Sequence, residues 1–218
     1  MKSPEITNGY TAAFLARGDS ILLSLYLVLW TYSFTSPDER SDSVYEEAFS
    51  KSSMLSGVTY AVIMVTCIIY GFYYERKHYS RAKIMIGMLS LAILGSLMIN
   101  FAPSASSFVA YAALVVLGLG MSGLLTASLY LVNEYSTPDS RGFITGLQTF
   151  FGVIGILFQT VLGAILYEWV DRAGPFDYFA GTCLIVLLIT VFIYRKSKQE
   201  LGSSIDQSSL IEEVSPEQ

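Results

Sequence analysis

Amides, hydroxyls and aromatic rings recur at helical spacing through the apolar stretches of this chain, a pattern suited to noncovalent binding. Asp19, Leu23, Tyr26 and Trp30 fall at i, i+4, i+7 and i+11, which puts them on one face of a helix. Gln148, Gly152, Gly155 and Gln159 repeat that spacing, and Ser122, Thr126 and Asn133 share a face upstream of them. Tyr60 lines up with Cys67, and Thr59 with Thr66 and Tyr70. Rings stack and amides hydrogen-bond. Tyr26, Trp30, Tyr60, Thr126, Gln148 and Gln159 are therefore candidate contacts for a small neutral or amphipathic molecule. The competing role for each is a helix-to-helix hydrogen bond, worth on the order of 1 kcal/mol.

Bond-making chemistry is poorly supplied. Gly120-Met121-Ser122-Gly123 matches the nucleophile string of rhomboid proteases, but such a serine needs a base within hydrogen-bond reach. The one histidine, His78, lies in a loop, and no mid-helix lysine or carboxylate replaces it. No catalytic residue is assigned, and the chain is not expected to be an enzyme. Cys67 and Cys183 fall inside apolar stretches and read as small buried hydrophobes. No metal site and no cofactor are expected. Arg17 and Asp19 are read at the cytoplasmic end of the first apolar stretch, as a surface-level pair or helix start. With the helix middles free of charge on that reading, a proton relay within the chain is not expected.

The elements that must hold these groups are plain. Six apolar stretches run from Phe14 to Phe34, Met54 to Tyr74, Ala82 to Phe101, Phe108 to Val132, Phe143 to Tyr167 and Phe176 to Tyr194. A bilayer core about 30 Å thick takes about 20 apolar helical residues to cross. Hydrophobic residues make up 53% of the chain and charged ones 14%, which excludes an ordinary soluble domain and a nucleic-acid binder. The fold class is all-α: a polytopic membrane protein of six transmembrane helices, since bare strands and loops cannot lie in hydrocarbon.

Charge sets the expected orientation. With the N-terminus inside, Lys2, Arg17, Arg76, Lys77, Arg81, Lys83, Arg141, Arg195, Lys196 and Lys198 are inner, against Arg40, Lys51 and Arg172 outside. Such an excess marks cytoplasmic loops, so both termini are expected in the cytoplasm. The division that follows is a cytoplasmic segment 1–13, a membrane domain 14–194 and an acidic, disordered tail 195–218. The first outer loop is read as Thr35 to Ser53. Residues 1–13 lack the apolar core of a cleavable signal, so the first span would direct its own insertion.

Glycine collects in the fourth and fifth spans, between Gly118 and Gly163, around an acidic residue, a Pro-containing turn and Arg-Gly. This arrangement resembles the major facilitator superfamily, where it joins the fourth to the fifth helix and the tenth to the eleventh. The loop GFYYERKHYSRAK, from Gly71 to Lys83, is similar to the family's basic loop motif, with His78 near where glycine is usual. On this resemblance Gly71, Glu75, Arg76, Arg81, Glu134, Arg141 and Gly142 belong to gating or structural loop motifs. The fifth span has Gly155 and Gln159 in place of a Gly-Pro pair, and the fourth lacks an arginine. Both features suggest the C-terminal half of the family's two-half fold.

The resemblance implies half of a secondary transporter for a small organic solute, working by alternating access. The lipid bilayer and a second six-helix half, or another copy, would be its partners. A non-transporting six-span scaffold or regulatory protein is the alternative from another class. Mitochondrial carriers are set aside for want of their threefold repeat. In the tail, Asp206 followed by Leu210 and Ile211 looks like an acidic dileucine sorting signal that an adaptor would read, directing the protein to endosomal or lysosome-like membranes. The alternative is an inert tail, which leaves the plasma membrane open as an address.

Overall fold

The computed structural model describes residues 4–34, 42–75, 81–134 and 136–213, without the side chains of 4, 5, 42, 43, 74 and 197–213. The chain opens with α1 (Pro4–Ile21), one π-helical turn (Leu22–Tyr26) and α2 (Leu27–Tyr32), which together make a single rod. Next come α3 (Asp42–Glu75), α4 (Arg81–Met98) with a 3₁₀ turn at Ile99–Phe101, α5 (Phe108–Glu134), α6 (Arg141–Trp169) and α7 (Gly174–Glu213). Six helical segments are long and apolar enough to cross a membrane, and the described residues hold no strand. They are Ile6–Tyr32, Val44–Tyr73, Arg81–Phe101, Phe108–Glu134, Arg141–Trp169 and Gly174–Lys196, the first to sixth spans below.

Three boundaries differ from those expected. The first helix starts at Pro4, not Phe14, so much of the supposed cytoplasmic segment belongs to the span. Packing explains it: Tyr10 stacks on Phe151 at 5.2 Å, and Ile6 is buried with Val132 and Ile144. The second helix starts at Asp42, so the outer half of the expected loop is helical. There Ala48 and Ser52 are buried, and Lys51 reaches back to Glu47 at 2.7 Å, the i,i+4 pairing that supports an exposed helix. The last helix continues to Glu213, where a disordered tail is expected.

Hydrophobic burial adds little between helices that already sit in oil, so small residues must let backbones approach. In the third and fourth spans a Cβ at Gly95 would meet the backbone of Leu117, and one at Gly120 the backbone of Ala92. In the first and fifth, a Cβ at Gly155 would meet the carbonyl of Phe14, and one at Gly163 the Tyr26 ring. Between these seams lies one core, containing Leu22, Leu27, Leu89, Leu117, Leu124 and Phe176. The second, fifth and sixth spans turn large apolar groups outward, among them Met64, Ile68, Phe72, Phe158, Val161, Leu188 and Phe192.

Gly155→Ala should lower stability in detergent by about 1–3 kcal/mol, the usual penalty for overpacking against a backbone that cannot step aside. Gly146, whose Cβ would meet open space, is the control. Gly146→Ala should leave the thermal midpoint unchanged or raise it.

Candidate functional site

The early start of the first helix changes the depth of its two charged residues. In a span from Ile6 to Tyr32, Asp19 is the central residue and Arg17 lies just inside it. The fifth span gives an independent level: a Cβ on Gly18 would touch the carbonyl oxygen of Gly155 at 3.3 Å. Gly155 is the middle residue of Arg141–Trp169. Both charged residues therefore lie at the middle of the first span, not at its end. The expectation of charge-free helix middles is corrected accordingly.

Arg17 and Asp19 face different neighbours, because two residues are about 200° apart around an α-helix. The stem of Arg17 lies where a Cβ of Gly152 would be, its Cγ 2.5 Å from that position. Its exposed side chain lines a pocket of about 150 Å³ with Ser128, Thr145, Gln148 and Thr149, between the first, fourth and fifth spans. Asp19 is half-buried, and its charge is felt by Arg17, by Tyr60 and Cys67 of the second span and by Cys183 of the sixth. Among the described residues neither side chain has an ion-pair or hydrogen-bond partner. An arginine or aspartate at the centre of a lone membrane helix costs about 2.5–3.5 kcal/mol on insertion scales, so such groups turn toward protein or water.

Two grooves continue from this level. One, of about 360 Å³, runs between the first and second spans and is lined by Ser24, Ser52, Ser53, Ser56 and Tyr60. The other, of about 430 Å³, lies between the second and fourth spans and holds Cys67, Thr126, Tyr130 and Asn133.

The candidate binding residues separate by environment. Gln148 is in the Arg17 pocket, its Nε2 donating to the Ser128 hydroxyl at 3.2 Å. Tyr60 is exposed in the serine-lined groove, and Thr126 is half-buried in the other, its hydroxyl donating to the Ser122 carbonyl at 2.8 Å. Tyr26 and Trp30 are each 1% exposed. The Tyr26 hydroxyl donates to the Thr160 carbonyl at 2.5 Å, and Trp30 packs edge-on against Phe34 and Phe176. Gln159 is buried and donates to the Pro175 carbonyl at 3.2 Å, tying the fifth span to the start of the sixth. These three are packing groups in the half as it stands. Ser122 accepts from Thr66 at 2.7 Å and donates to the Leu119 carbonyl, with no base beside it among the described residues.

Residues 9–215 match the family described as the Major Facilitator Superfamily. The chain belongs to that superfamily. The magnetosome protein MamH of Paramagnetospirillum magneticum is 25% identical over 198 residues, which cover 90% of this chain and 44% of MamH. MamZ of the same organism is 21% identical over 90% of the chain and 30% of its own length. The chain thus spans less than half of the curated relatives it matches. Among solved structures, the proton:xylose symporter XylE bound to 6-bromo-6-deoxy-D-glucose superposes with a TM-score of 0.65. That match has 17% identity and covers 88% of this chain and 44% of XylE.

Of the loop-motif residues of this major facilitator chain, Arg81 and Glu134 are brought together. Arg81 pairs with Glu134 and donates to the Tyr130 hydroxyl at 3.2 Å, with its guanidinium 5.0 Å from that ring's centre. The start of the third span is thereby clamped to the end of the fourth. Glu75 and Arg141 are exposed at helix ends, and a Cβ at Gly71 or Gly142 would meet nothing. Arg76 and His78 lie outside the described residues, as do the side chains of Asp206, Leu210 and Ile211.

Gln159→Ala should lower stability by about 1 kcal/mol, since it removes the side-chain bond that ties the fifth span to the start of the sixth. Gln148→Ala should cost less, because Ser128 keeps its bond to the Leu125 carbonyl at 3.1 Å. Thermal unfolding of the two purified variants side by side checks the order.

Proposed function

We propose that the chain is one six-helix half of a secondary active transporter, carrying a small organic solute by alternating access with Asp19 as its coupling carboxylate. The observation that carries this reading is the pair of mid-span charges, Arg17 and Asp19, which feel each other's charge yet form no direct ion pair among the described residues. In lipid such groups would be costly; beside a central water-filled path they are useful, and transporter sites lie at that depth between repeats. The covered share of the relatives, 44% of MamH, supports a second half on the opposite wall. A half-buried carboxylate could take up and release a cation as the two halves rock.

Orientation follows from charge. With Arg17 moved to mid-span, nine inner lysines and arginines still stand against three outer ones, which favours both termini in the cytoplasm. The dileucine-type signal at Asp206, Leu210 and Ile211 favours an endosomal or lysosome-like membrane. Adaptor capture by a tail peptide, compared with Leu210→Ala, tests that address.

The transport reading is tested in proteoliposomes holding the chain together with its second half. Asp19→Asn should abolish cation-driven accumulation, by at least about tenfold, while solute exchange persists, the signature of a lost coupling step rather than lost binding. Accumulation that is equal in Asp19→Asn and the native chain removes Asp19 from the coupling role. Absence of uptake under every cation gradient overturns the transporter reading.

A further inference from the structure

The Arg17 pocket makes a chemical statement about the solute, and the statement rests on the transporter reading above. We propose that Arg17, with Ser128, Thr145, Gln148 and Thr149 around it, binds the anionic group, a carboxylate or a phosphate, of the transported molecule. The site is built from three spans. The guanidinium arrives from the first, one hydroxyl from the fourth, and two hydroxyls and an amide from the fifth.

Donors dominate this set. A guanidinium offers five N–H groups in a planar fork that matches carboxylate or phosphate oxygens in pairs. The second N–H of Gln148 and the Thr145 hydroxyl can add more, whereas the Ser128 and Thr149 hydroxyls already donate to the Leu125 and Thr145 carbonyls, each at 3.1 Å, and would have to turn to do so. The pocket contains no acidic side chain. Asp19, two residues on, is close enough for the two charges to be felt by each other, but it makes no direct ion pair with the guanidinium and does not line this pocket. Position excludes a lipid headgroup as the anion: mid-span is about 15 Å from either headgroup layer, further than the side chain is long.

Size agrees. A cavity of about 150 Å³ takes a group the size of a benzene ring, enough for one carboxylate or phosphate group. The rest of the solute would extend toward the facing half. Gly152 completes the device, because a side chain there would occupy the place of the Arg17 stem. The neutral solute favoured by the polar stripes alone gives way to an organic anion.

Phenylglyoxal modifies accessible arginines, and peptide mass spectrometry of native membranes reads Arg17 separately from the exposed Arg141. The probes are inorganic phosphate and succinate at millimolar concentration, with xylose as the neutral control. One of the two anions should slow modification of Arg17 about tenfold when present at ten times its dissociation constant. Arg141 should react at the same rate throughout, and Gln148→Ala should weaken the protection. Three results overturn the proposal. They are equal reaction of Arg17 with and without both anions, protection by xylose as strong as that by the anions, and an Arg17 unreactive in every condition, as when an acidic side chain of the second half already covers it. Vesicles that accumulate a neutral solute while Arg17 stays unprotected sink this inference alone. Protection without any solute uptake leaves the anion site standing and sinks the transporter reading.

Discussion

Backbone-to-backbone contact across glycine governs this bundle. In lipid a leucine gains almost nothing by leaving one oily surface for another, so helix association depends on how closely main chains can come. Where the third and fourth spans cross, Gly95 faces the backbone of Leu117 and Gly120 that of Ala92. Where the first and fifth meet, Gly155 faces the carbonyl of Phe14. These seams set the height of each rod against its neighbours. The level of Arg17 is fixed by the same contact, since Gly18 rests against Gly155 while Gly152 makes room for the arginine stem.

The two charged residues then divide the first span's surroundings into unlike regions. One side offers a guanidinium among hydroxyls and an amide, enclosed by the fourth and fifth spans. The other offers a carboxylate near Tyr60, with a run of serines leading along the second span. On the transport proposal a solute and a driving ion would each need a charge of its own, and a direct ion pair, which these two residues do not form, would satisfy both and leave neither free. The Arg81–Glu134 pair shows the contrasting case. It is closed, backed by Tyr130, and holds two helices together at the membrane edge.

Hydropathy made the six crossings legible, and glycine-rich segments made the close seams legible, because both depend on residue type alone. The depth of Asp19 was hidden by polar residues ahead of it. Thr7, Asn8 and Thr11 look like cytoplasmic sequence, yet Asn8 is buried and Thr11 returns its hydroxyl to the Asn8 carbonyl. A readable signal was present: Pro4 stands at the first helical position, where its missing N–H is no loss. Ile6, Tyr10 and Phe14 then continue the helical period without a break. Tyr26 and Trp30 share a sequence face with Asp19, but that face leads into the core, and spacing alone cannot tell a cavity wall from a packed seam.

The π-helical turn at Leu22–Tyr26 explains part of that failure and carries a mechanical consequence. One surplus residue in a helix turns everything beyond it by about 100° relative to an unbroken α-rod. The segment bearing Arg17 and Asp19 is thus angularly offset from the one bearing Trp30, so the rod behaves as two shafts joined by a coupling. Loss of that surplus residue would swivel one shaft on the other and carry the guanidinium out of its ring of donors, with both ends still anchored.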